Sequence, residues 1–532
     1  MFYPHLCQDQ ASVNRSDFGP TGGGHHMIRP PRSHYQYLEF VQTRRAALGL
    51  KVPPEATALW CKFRHTDLSA AYPILACLYV PDQGRPARAP DEMLRAWLLM
   101  LECHITSVDV WVQRLREQPF YALLCGFESD QVPGVGTFYD FQDRLLQCAE
   151  SVLDRDCVPR RRSEQRKTSG TLRDKNNTAP HTQILDRLAT RLLTRPARLV
   201  GFGQWHTNLA VLPTYQRILK AVFYTVFVST SITQGLIDLT DLHIAGDGTH
   251  LATWANAHGH KLCTCDNRAK APAEHCTCAR RFHDPQASWG WDSYRERYVY
   301  GHGLYELTAY SLRHTCQLPL VVNVLDNHRH DSVAYLAAMY EAVDLLGFPI
   351  HTASLDKAHD AVALYRLGAE HWHLDSVIPL NERHTGHCQF APALRLTEDG
   401  SPICLAEQPL IYQGFCADRM RLKWRCPLAV HHRPLTDCPH FAHDCSDSPY
   451  GRTIYTYPQT NYRLFTRLPR GSLLWKLHAD RRSCAERSVK RKKLDFGLDH
   501  TRLASRERWF FRVMLAAMCQ HLDAWSSHGA DV

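Results

Sequence analysis

Leu242-His-Ile-Ala-Gly-Asp247-Gly-Thr249 is a short apolar run that closes on a carboxylate. The pattern predicts a strand that stops at Gly248-Thr249 and turns the chain. A carboxylate inside such a strand is costly to bury unless it is paired, hydrogen-bonded or bound to a cation. Asp247 is therefore either a strand-end residue bonding its own turn or a ligand in a site built around it.

Downstream, residues 298–311 and 318–325 read as two further strands, the second a continuous apolar run suited to a buried position. Asp331 is placed to cap a helix whose face holds Val333, Leu336, Ala337, Tyr340 and Val343 and whose end is Gly347. Residues 350–355 form a fourth strand that runs straight into Asp356-Lys-Ala-His-Asp360. A short helix to Leu367 and a fifth strand over 371–380 follow. Three strands, helix, strand, helix, strand describe an α/β sheet with carboxylates at the ends of two strands, where open sheets place their ligands.

Upstream, residues 1–35 are rich in Gly, Pro, His and Arg without an apolar period and read as a flexible arm. Residues 36–150 read as a helical domain. Met93, Leu94, Trp97, Leu98 and Leu101 recur at helical steps, and Thr137 is placed to cap an amphipathic helix to Leu145. Residues 151–235 read as a basic linker and connecting helices. The sheet begins at 236 and runs to 382, interrupted by a Cys/His loop at 256–284. A Cys/His-containing insertion fills 383–469, and helices at 470–526 complete the core. The last of these carries Phe510, Val513, Met514, Ala517 and Trp525 as a core stripe.

The chain has 532 residues, 44% hydrophobic, which excludes a disorder-dominated class and allows several domains. A net charge of +9 favours an acidic partner such as nucleic acid. The longest apolar run, 221–232, is too short for a membrane span, and 1–35 lacks a signal-peptide core. The expectation is a soluble, intracellular protein with no membrane partner, whose 20 cysteines are thiols or metal ligands.

A third acid stands far from the first two. Residues 473–496 read as one helix containing Arg481-Arg-Ser-Cys-Ala-Glu486 and, further on, Lys490-Arg-Lys-Lys493. Seven of the thirteen residues 481–493 are basic. At about 100° per residue, Arg482, Glu486 and Lys493 fall within about 40° of one another on a helical wheel. Such a face is either a solvated basic helix with an internal Arg-Glu pair or a metal ligand set beside a polyanion.

The spacing Arg482, three residues, Glu486, six residues, Lys493 resembles the signature around the last acid of bacterial insertion-sequence transposases of the DDE class. The Tyr of that signature falls at Ala479. Asp247-Gly-Thr249, Asp356-Lys357 with Asp360, and the helical region ending in Gly136-Thr-Phe-Tyr-Asp-Phe resemble the same family. The resemblance implies an RNase H-like mixed sheet flanked by helices, with an all-α N-terminal domain and a Cys-rich insertion. It implies that Asp247, Asp356 and Glu486 are catalytic and hold two Mg²⁺ or Mn²⁺ ions about 3.5–4 Å apart. Arg482, Lys490 and Lys493 would contact DNA phosphates. Water would free a 3′-hydroxyl at the element end, which then attacks target DNA. No covalent enzyme intermediate is required, which disfavours a Ser or Tyr recombinase. The implied partners are the terminal inverted repeats, target DNA and a second copy in a homodimer, in the bacterial cytoplasm at the nucleoid. Competing readings are another nuclease on the same fold and a non-catalytic or domesticated DNA-binding protein stabilised by zinc.

Two cysteine sets are candidates for structural Zn²⁺. Cys263, Cys265, Cys276 and Cys278 lie in the first loop, and Cys426, Cys438 and Cys445 lie in the insertion with His440 and His443 nearby.

Overall fold

In the computed structural model the described residues are 28–79, 86–147, 159–160, 180–195, 200–262, 280–312, 316–381 and 395–529. Six strands build the main sheet: β1 (Leu242–Ala252), β2 (Ser288–Asp292), β3 (Arg297–Tyr310), β4 (Gln317–Asp326), β5 (Ile350–Ser354) and β6 (Asp375–Val377). β1 is central. It pairs antiparallel with β3 on one side and parallel with β5 on the other. β4 and β2 pair antiparallel with β3, and β6 pairs parallel with β5. The anticipated succession is present as β1, β3, β4, helix, β5, helix, β6. β2 was not anticipated, and the fifth strand contracts to three residues because His373 takes a left-handed turn just ahead of it.

β1 does not stop at Gly248-Thr249. It runs on to Ala252 because β3 is long enough to pair with it from Tyr310 to Gly301.

The helices that matter to the sheet are α1 (Pro90–Glu102), α2 (Thr214–Val222), α3 (Asp331–Met339), α4 (Val362–Glu370), α5 (Leu473–Arg481), α6 (Ser483–Leu494) and α7 (Arg506–Gly529). The result is a mixed sheet flanked by helices. On one face Lys220 of α2 is buried against Glu341 at 2.5 Å and Asn323 of β4 at 2.7 Å, with Tyr224 completing the network. Pairing and hydrogen bonding of every member keep this buried charge affordable. The opposite face carries α5 and α6.

Residues 473–496 form two helices, not one. Around Arg482 the backbone bonds shorten to three-residue spans, from Arg482 N–H to Ala479 O and from Ala485 N–H to Arg482 O. Ser483 Oγ bonds back to Asp480 O, a side-chain competitor that bends helices. Two anticipated caps also move. The helix to Leu145 starts at Val135 with Gly134 as N-cap, so Thr137 lies inside it. His330 caps α3 through Nδ1, leaving Asp331 as the first helical residue.

Apolar packing is continuous from the N-terminal helices to the sheet. Trp97 of α1 meets Phe138 at 5.8 Å and Phe511 of α7 at 4.9 Å, both edge-on. Residues 395–469 add a small antiparallel sheet of β7 (Ile411–Cys416), β8 (Arg421–Arg425) and β9 (Thr453–Thr456) over Leu410, Leu422, Trp424 and Phe465. Arg463 fastens it to the main sheet through a two-pronged bond to Asp360, at 2.9 and 2.6 Å. Among the described residues no helix is long and apolar enough to cross a membrane.

Candidate active site

Because successive strand residues point to opposite faces, His243, Ala245 and Asp247 of β1 face α5 and α6. Ala245 and Tyr310 pack on Cys484 and Ala485. Glu306 stands directly opposite Asp247 in the ladder and receives Lys492 of α6 at 2.6 Å, both fully buried. Ser488 and Gln520 complete that bond set. One basic residue of α6 thus seats the helix on the sheet and is unavailable to DNA. Seating α6 there brings Glu486 to the Asp247 edge.

β1 and β5 run parallel, so the chain leaves β5 on the same edge. There Asp356 accepts the Ala358 N–H at 3.1 Å and is bonded to His359 Nδ1 at 2.5 Å. His359 is 1% exposed, and its Nε2 meets the Tyr305 hydroxyl at 2.8 Å. A carboxylate only accepts, so Nδ1 is the donor to Asp356. Asp360, four residues on, does not join the site; Arg463, Tyr365 and the Asn381 amide hold it.

A fourth carboxylate is present. Asp331 lies over Gly248, where an added Cβ would come within 2.4 Å of its Oδ1. Gly246 opens the same face to the Tyr305 hydroxyl, 2.5 Å from where its Cβ would be. Asp331 reads in sequence as a helix cap, and the signal that could have exposed it is the pair of glycines flanking Asp247.

The electrostatics follow from this gathering. Burial, then the charges of Asp331, Glu486 and Asp356, push Asp247 up to about 7. Burial raises Asp331 as well. Burial would also raise Asp356, but the His359 bond and charge, the Ala358 amide and Arg482 together hold it below its usual range. Glu486 is tied to Arg482 at 2.6 Å, with the two side chains 49% and 35% exposed. Lys493 lies 3.9 Å from Asp499 and within reach of Asp247, with burial lowering its ammonium. Lys490 is exposed.

Among the described residues no three His, Cys, Asp or Glu side chains are gathered closely enough to hold one metal ion. The acids converge electrostatically while Arg482 and His359 each occupy one of them. Cys426, Cys438 and Cys445 are partly exposed thiols. Cys438 is near enough to Cys445 to raise it slightly after burial, and Cys426 packs on Gly451. Cys263, Cys265, Cys276 and Cys278 lie outside the described residues. No protein-family model and no curated protein matches the chain.

Proposed function

We propose that this protein is a DNA transposase of the DDE class with an RNase H-like core, cutting phosphodiester bonds at the ends of a mobile element and joining them to target DNA. The reading is carried by the approach of Asp247, Asp356 and Glu486 to one sheet edge from a strand, a strand end and a helix. The strand order β4-β3-β1-β5-β6, three antiparallel followed by two parallel, supports the core assignment.

The donor set suits Mg²⁺ or Mn²⁺, since hard cations take carboxylate oxygen. Asp247 is lifted by its burial and then by the neighbouring carboxylates, an environment that a bound cation would relieve. Held by these carboxylates, two such ions would activate the attacking oxygen and stabilise the leaving oxygen. Asp247 must shed its proton to take part, and Glu486 must leave Arg482. Arg482, once released, offers a planar fork to a phosphate, and Lys490 and Lys493 offer point charges on the same helical region. His359 fixes the orientation of Asp356 from behind.

The test uses DNA flanking the gene. Inverted repeats there, incubated with the purified protein and Mg²⁺ or Mn²⁺, are nicked at the repeat tip. Asp247→Asn and Glu486→Gln abolish nicking while leaving DNA binding, and wild-type rates in either variant sink the assignment. The pairing of Glu486 with Arg482 favours one second reading, a non-catalytic DNA-binding protein. Binding without cutting by the wild-type protein selects it.

A further inference from the structure

β2 and β3 form a ribbon whose register sets Trp289 opposite Tyr300 and Trp291 opposite Tyr298. Opposed residues of an antiparallel ladder share a face, so four aromatic rings stand together. Ring centroids are 5.2 Å apart in the first pair and 4.9 Å in the second. Tilted and edge-on packing across the strands explains why the ribbon holds its shape, but it leaves three of the four rings largely open. Trp289 is 50% exposed, Trp291 51% and Tyr298 66%, and Tyr294 at the tip is 94% exposed.

The ribbon is anchored to the acid edge. A Cβ on Gly290 would come within 2.3 Å of the Asn327 carbonyl oxygen, so only glycine lets the ribbon sit this close. Asn327 Nδ2 donates to Val299 O at 2.7 Å, and its Oδ1 is bonded to His250 Nδ1 at 2.7 Å. His250 Nε2 meets Trp291 O at 3.2 Å. Asp292 accepts the amides of Tyr294 and Arg295, both at 3.1 Å, which fixes the tip. His250 is three residues beyond Asp247 on β1, about 10 Å along an extended strand. That is about three nucleotide steps of 3.4 Å. Lys493 lies between the two regions, within electrostatic reach of Asp247 on one side and of Asp292 and Arg295 on the other.

Stacking platforms for single strands combine exposed aromatic rings, sequence-tolerant because every base has a π-face, with neighbouring positive charge for the backbone. The rings come from the ribbon and the charge from Lys493 at the end of α6 and from the exposed Arg295 and Arg297 of the ribbon itself. We propose that the Trp289, Trp291, Tyr298 and Tyr300 face stacks unpaired bases of the DNA strand whose phosphate lies at the Asp247, Asp356 and Glu486 edge. This inference rests on the DNA-processing reading above.

The test is anisotropy of labelled probes with the full chain in chelator, so that nothing is cut. A dT oligomer, a forked duplex and a blunt duplex are compared. The wild-type protein binds the oligomer and the fork more tightly than the blunt duplex. Trp291→Ala weakens the first two by roughly 5- to 150-fold, the loss of one base–aromatic stack, and leaves the blunt duplex unchanged. Trp291→Tyr restores most of the loss, and Tyr298→Ser, at the most exposed ring of the face, weakens the fork as well. Equal affinity for all probes, equal losses on all probes, or a change of oligomeric state in Trp291→Ala without a binding change each overturn the platform. Cutting of inverted repeats without probe discrimination leaves the transposase reading intact and removes only the platform. Discrimination without cutting keeps the face as a single-strand binding surface and removes the transposase reading.

Discussion

Asp247 and Gly248 act as one unit. The glycine leaves the space that Asp331 fills, and Asp331 is the foremost of the like charges that hold Asp247 up after burial itself. A carboxyl raised in the folded state binds its proton more tightly folded than unfolded. Its stabilising effect is therefore complete below the ordinary value of 3.8 and is lost as pH rises through about 7. Metal-free protein should lose stability across that window, and Asp247→Asn should flatten the profile, as thermal melts in chelator will show. Gly248→Ala should shift the upper limit of the window to lower pH. Only the end of the Asp331 side chain must move to admit the methyl group, so the fold itself should survive the change.

Element α6 holds its acid in place through a basic neighbour. Lys492→Ala would strand Glu306 in the interior, at a cost of about 3–5 kcal/mol. Lys492→Met with Glu306→Gln should recover most of it in chemical denaturation. This role was not legible in the sequence. Lys492 is flanked by Arg491 and Lys493, and only its pairing across to β3 distinguishes it. Asp356 stood out because a strand runs into it, Asp247 because a carboxylate interrupts an apolar strand, and Glu486 because of its spacing from Arg482 and Lys493. Asp331 was not, since a helix-capping Asp and a site Asp look alike until the glycine opposite is paired with it. The bend at Arg482 was hidden for a similar reason: no Pro or Gly marks it, and its cause is one serine hydroxyl. β2 escaped notice because Trp289-Gly-Trp291 is short and follows a Cys-rich loop.

At the scale of the whole molecule, the N-terminal helices and the sheet share an interior through α1 and α7. Trp97→Ala should cost about 3–5 kcal/mol, and the loss should register equally in reporters placed on the helices and on the sheet. Separate transitions would show that the shared packing does not couple them. The Arg482 and Glu486 pair gives the assembled protein a further property. Both partners are partly in solvent, so monovalent salt weakens their attraction and frees the acid. The same salt weakens every phosphate contact made by the surrounding basic residues. On the proposed DNA-cutting activity, the nicking rate should therefore pass through a maximum at intermediate ionic strength. In Arg482→Gln the rising limb should vanish and only the falling limb remain, a comparison that a potassium chloride titration of nicking rates decides.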